Sequence, residues 1–145
     1  MRNGIRESSC YSWIMKIAWF TDDDQDMIKA LSLMLRLLDY ETRSFPNARK
    51  AARALLAGQR PDLLILDINM PEVSGLDLLE FIRSRRQWDD LPVIMFSSEA
   101  ADVQVDHALA LGADAYIFKP VTLDELEAAI AQAMQKRGGE ESLKV

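Results

Sequence analysis

Leu63, Leu64, Ile65 and Leu66 form a run that is apolar at every position and ends in Asp67. A strand with one wet face alternates apolar and polar residues, so an unbroken run marks a strand covered on both faces. Such a strand belongs at the centre of a parallel sheet with helices on either side. Four further β-favouring runs flank it, each followed by a segment of helical period, giving five βα pairs and an α/β fold.

The first strand is Lys16 to Thr21, and its helix carries Met27, Leu31, Met34, Leu35 and Leu38 on one face. Glu41 to Ser44 is a short second strand. Asn47 caps the next helix, whose inner face holds Ala51 and Leu55 and whose end falls at Gly58, before the turn at Arg60, Pro61 and Asp62. A third helix spans about Gly75 to Arg83. Pro92 to Phe96 is the fourth strand, followed by a helix from about Asp102 to Leu111 and a stop at Gly112. Ala115 to Phe118 is the fifth strand, broken by Lys119 and Pro120, an X-Pro bond of the kind that takes the cis form in tight turns. Thr122 and Glu125 form a capping box for a last helix that buries Leu126, Ala129, Ile130 and Ala133 and stops at Gly138 and Gly139. The ordered domain is 14–137, with mobile tails at 1–13 and 138–145.

The 145 residues suffice for one domain with a core that needs no staple. A single cysteine, Cys10, and a single histidine, His107, leave no disulfide framework and no ordinary zinc site. A net charge of −6 argues against a domain that binds nucleic-acid phosphate directly and suits a cation or a basic partner. The run from Trp13 to Phe20 is interrupted by Lys16 and followed by three aspartates, so it is neither signal peptide nor membrane span, and the expected location is cytoplasmic. The glycine positions fit no phosphate-binding loop motif. His107 reads as a surface residue, Arg83, Arg85 and Arg86 as cations at a helix C-terminus, and the methionines and Trp19 as core.

Ligands of open parallel sheets bind outside the carboxyl ends of the strands. At those ends stand Asp22, Asp23 and Asp24, then Asp67, then Ser97 and Ser98, then Lys119. Helix capping explains one or two of the aspartates. The others meet Asp67, and like charges at ~4 Å repel by ~4 kcal/mol at an effective dielectric near 20. A hard divalent cation offsets that repulsion, and few carboxylates with room for water suit Mg²⁺.

With these motifs in place, the chain resembles a response-regulator receiver domain. The resemblance rests on TDDDQD, LLILDINMPEVSGLDLL, PVIMFSS and GADAYIFKP, separated by 44 residues from Asp23 to Asp67, 30 to Ser97 and 22 to Lys119. It implies a single doubly wound, flavodoxin-like (βα)5 fold with strand order 2-1-3-4-5. It implies Asp67 as phospho-acceptor, with Mg²⁺ held by Asp22, Asp23, Asp67 and the backbone carbonyl of Asn69. Lys119 would pair with the acceptor, Ser97 would hydrogen-bond the phosphoryl group, and Tyr116 would be the aromatic that reports the state. Asn69 and Glu99 would tune the phosphoryl lifetime. The implied partners are a sensor histidine kinase or phosphotransfer protein and a downstream protein met through the fourth helix, fifth strand and last helix, with no membrane contact.

Val121, Thr21, Trp19 and Phe20 depart from the usual pattern in ways that read as packing. Ala115, Ala129 and Ala131 argue against the charged dimer face of receivers in winged-helix transcription factors. Two other readings stand beside the switch. One is a Mg²⁺-dependent aspartyl-phosphate phosphatase, which wants an acid where Asn69 stands; the other is a degenerate receiver that only contacts proteins. The switch itself is not an enzyme beyond accepting and slowly losing its own phosphoryl group. It requires Asp67 to be unburied and turned toward its two acidic neighbours.

Overall fold

The structure, a computed structural model, describes residues 15–70, 72–98 and 102–137. The expectations for both tails, Cys10, Glu99 and the stop at Gly138 and Gly139 lie outside these residues. Five strands, β1 (Lys16–Thr21), β2 (Tyr40–Phe45), β3 (Leu63–Asp67), β4 (Val93–Ser97) and β5 (Ala115–Phe118), alternate with five α-helices. These are α1 (Gln25–Leu37), α2 (Ala48–Leu56), α3 (Gly75–Arg83), α4 (Asp102–Ala110) and α5 (Leu123–Arg137), with a 3₁₀ turn at Arg86–Trp88. The strands form one parallel sheet in the order β2-β1-β3-β4-β5.

Every residue of β3 is buried, as its unbroken apolar run requires. Its side chains feed two cores in alternation. Leu63 and Ile65 pack with Phe20, Leu31, Leu35, Leu126 and Ile130 beneath α1 and α5, whereas Leu64 and Leu66 pack with Trp19, Leu55, Leu79 and Ile82 beneath α2 and α3. The bulk of Trp19 is matched by Ala48, Ala51 and Ala54 of α2, and its ring meets Phe45 at 4.9 Å. Asn47 caps α2 by accepting from Lys50 N, and the Thr122–Glu125 box starts α5. Gly58 and Gly112 take positive φ where α2 and α4 end.

Some expectations shift. β2 is longer by one residue at each end because Tyr40 and Phe45 are both buried and stay in register with Lys16 and Thr21. β4 runs from Val93 to Ser97, since Pro92 has no N–H for a ladder and Ser97 still pairs with Phe118. Of the methionines described, Met70 and Met95 are buried, but Met15 is exposed. His107 is exposed, as expected.

Arg83 is more than a helix-end cation. It turns under the sheet's N-terminal edge and donates to the carbonyls of Gly112 (2.9 Å), Trp88 (3.0 Å) and Leu91 (2.8 Å) and to Asp114 Oδ2 (2.9 Å). Arg137, at the end of α5, donates to the other Asp114 oxygen at 2.6 Å and to the carbonyls of Asp89 and Gly112. Asp114 is fully buried and also accepts from Val93 N. One carboxylate therefore ties α3, β4 and α5 together. Breaking a buried pair of this kind by removing one partner costs about 3–5 kcal/mol. Asp114→Ala is expected to lose stability in that range in urea unfolding, while a surface change such as Glu127→Ala stays within about 0.5 kcal/mol.

Candidate active site

At the carboxyl edge of the sheet, Asp24 caps α1 by accepting from Asp26 N at 3.0 Å. That leaves its neighbours for other work. Asp22, which is buried, accepts from Asp24 N with Oδ1 (2.9 Å), and among the described residues its buried Oδ2 is met only by the ammonium of Lys119. Asp23 is exposed at the rim. Asp22, Asp23 and Asp67 each bring a carboxylate oxygen to a common point, all within 4.8 Å of one another.

Asp67 ends β3 and is held on several sides. Its Oδ1 accepts from Asn69 N at 3.0 Å, and its Oδ2 accepts from Lys119 Nζ at 2.8 Å. Its own N–H donates to Thr21 Oγ1 at 3.0 Å. Behind it, Gly75 opens α3 so closely that a Cβ there would fall 2.4 Å from the Asp67 carbonyl oxygen. Ser74 makes that approach possible by capping α3 in a reciprocal box with Asp77.

Lys119 follows β5, and its peptide bond to Pro120 is cis. Its N–H donates to Ser97 O at 2.9 Å, and its ammonium also stands 3.2 Å from Asp22 Oδ2 and 5.0 Å from the centre of the Phe96 ring. Burial disfavours the charge on Lys119, but the bond to Asp67 and the attraction of Asp67 and Asp22 outweigh it and hold its pKa above the ordinary lysine value. Burial raises the Asp67 pKa. Lys119 and the Asn69 N–H oppose that rise without cancelling it, and Asp22 adds to it.

Ser97 is buried at the end of β4, and its Oγ lies 3.4 Å from Asn69 Nδ2, a long contact across the mouth of the site. Asn69 itself is exposed. Tyr116 stands on edge strand β5, two residues before the partner of Ser97, with its ring 5.2 Å from that of Phe118. Both rings line a groove of about 300 Å³ against Ala128, Ala129 and Gln132 of α5.

The expectation of an unburied acceptor is not met. Asp67 is 1% exposed, and its Oδ2 is paired with the ammonium of Lys119, whose side chain is 22% exposed. Two participants escaped the sequence reading. Thr21 was taken for packing, yet its hydroxyl touches the Asp67 backbone, and Gly75 was only the start of a helix.

Three carboxylates against one ammonium leave a formal charge of −2 in this pocket, and one buried carboxylate oxygen there is met only by that shared ammonium. That donor set, all oxygen and few in number, fits Mg²⁺ better than a soft metal. With Lys119 and the Ser97 hydroxyl nearby, the pocket has the parts to neutralise a phosphoryl group beside a nucleophilic carboxylate.

Comparison with known proteins agrees with this chemistry. Residues 19–131 match the family model for the response regulator receiver domain. The transcriptional regulatory protein PrrA of Mycobacterium tuberculosis is 33% identical over 117 residues, 81% of this chain and 49% of that protein. The chain therefore spans about half the length of that relative. The chemotaxis protein CheY4 of Vibrio cholerae superposes with a TM-score of 0.74 at 25% identity, over 82% of this chain and 98% of that one. The receiver domain of the sensor histidine kinase PA1611 from Pseudomonas aeruginosa, solved with a magnesium ion in its active site cleft, shares the fold at 22% identity and a TM-score of 0.73, over 82% of this chain and 97% of that one. The order and pairing of the strands, the clustered carboxylates and the matched span lead to one assignment: this chain belongs to the response regulator receiver domain family.

Proposed function

We propose that this domain is a phosphorylation-controlled switch and that Asp67 accepts the phosphoryl group. The observation that carries the proposal is the convergence of Asp22, Asp23 and Asp67 within 4.8 Å, with the Lys119 ammonium 2.8 Å from Asp67. The donor is a phosphohistidine on a sensor kinase or phosphotransfer protein. A carboxylate oxygen of Asp67 forms a bond to phosphorus as the phosphorus–nitrogen bond breaks, and the departing imidazole takes up a proton. Asp22, Asp23, Asp67 and the Asn69 carbonyl would hold Mg²⁺, which when bound supplies positive charge to the phosphoryl oxygens.

The chain's own residues do the rest. Lys119 leaves Asp67 Oδ2 and follows the negative charge onto a phosphoryl oxygen. The Ser97 hydroxyl donates to another oxygen, and its movement gives Tyr116 room to turn. Charge-assisted hydrogen bonds contribute about 1.5–3 kcal/mol each, so two or three suffice to invert an equilibrium between two arrangements of α4, β5 and α5. No described helix is long and apolar enough to cross a membrane, in keeping with a kinase partner met in the cytoplasm.

Incubation with acetyl phosphate and Mg²⁺ is expected to add one phosphoryl group per chain, read by intact mass. Asp67→Asn or excess chelator abolishes it. Labelling of the Asn variant to the same extent overturns the assignment, and steady turnover of phosphomonoesters favours a phosphatase. Lys119→Ala is expected to keep Mg²⁺ binding but to lose the amide shift changes in α4 that beryllofluoride induces in the unsubstituted protein. An unchanged response removes the role given to Lys119.

A further inference from the structure

Thr21 is the last residue of β1, and its side chain is buried. The β1–β3 ladder closes at Phe20 and Ile65, so the Asp67 N–H lies beyond the last backbone pair on that side. Backbone beyond β1 turns the other way, with Asp22 N donating to Phe45 O at 3.1 Å. The Asp67 N–H is satisfied instead by a side chain 46 positions away, the Thr21 hydroxyl, at 3.0 Å.

From this contact we infer that Thr21 is a positioning residue for phosphoryl acceptance, fixing the Asp67 peptide and thereby the direction of its carboxylate. The inference rests on the reading of Asp67 as acceptor. Backbone restrains the next peptide, Asp67–Ile68, where Ile68 N donates to Phe96 O at 3.0 Å and α3 comes so close that a Cβ at Gly75 would meet the Asp67 carbonyl oxygen, whereas the Leu66–Asp67 peptide carries the N–H that Thr21 holds. Thr21 supplies the one side-chain restraint among the contacts described for this peptide, so it alone is removable by substitution without rebuilding a loop. A buried N–H left without an acceptor seeks another, and the peptide rotates to find it. An aliphatic side chain in that place offers none. The carboxylate must face Asp22, Asp23 and Lys119 together, and a misplacement of about 1 Å at such a centre costs on the order of 10²-fold in rate. Thr21 has no contact of its own with the reacting oxygens.

The test compares Thr21→Val, Thr21→Ala and Thr21→Ser in the acetyl phosphate reaction. An Ala51→Gly variant serves as a destabilised control remote from the site. Val and Ala are expected to slow labelling by about tenfold or more, Ser to stay within about twofold, and the control to label normally at a matched loss of thermal stability. The Asp67 amide proton resonance should move upfield in Val and Ala but not in Ser. If Val does not fold, Ala against Ser decides. Wild-type rates in Val and Ala, or a Ser variant as slow as Ala, overturn the inference alone. Failure of the unsubstituted protein to label at Asp67 removes the acceptor reading and this inference with it.

Discussion

An excess of negative charge at one edge of a parallel sheet governs how this domain is built. Asp22, Asp23 and Asp67 arrive there because each follows a strand, and the sheet gives them no apolar alternative. In the described structure the Lys119 ammonium sits between two of them and offsets part of their repulsion. The pocket keeps a net negative charge, with the buried Asp22 Oδ2 met only by that same ammonium. On the function proposed above, a divalent cation would offset that charge and so make room for an incoming phosphoryl group. The site is therefore responsive because its resting charges do not balance.

The same arrangement bears on the approach of a donor to Asp67. Three carboxylates beside one another repel an anionic donor, and the Lys119 ammonium paired with Asp67 and Asp22 offsets part of that repulsion. The elevated pKa of Lys119 keeps that ammonium charged throughout the physiological range.

Much of this was readable from residue order. The unbroken Leu63–Leu66 run fixed β3 at the centre, and the strand-end rule then collected Asp22, Asp23, Asp67, Ser97 and Lys119 without any structure. The rule looks only at one edge. Asp114 stands at the other, at the start of β5, and its partners Arg83 and Arg137 are 31 and 23 positions away, so neither periodicity nor spacing could join them. Thr21 shows a different gap: apolar patterning says that a side chain faces inward, but not which backbone group its hydroxyl will meet. The burial of Asp67 was hidden for a similar reason, since a polar residue at a strand end gives no pattern from which its exposure can be read.

The carboxylate of Asp114 also has a mechanical consequence. It pins the last turn of α5 through Arg137, while the first turn lies on the side of the sheet that carries Lys119. A helix of 15 residues is about 22 Å long. Leu126, Ala129, Ile130 and Ala133 seat it on the sheet, and over that length a tilt of about 3° about the pinned end would displace the first turn by roughly 1 Å. Anchored by Arg137 at one edge of the sheet, α5 would therefore yield by tilting about that edge before it slid along the sheet.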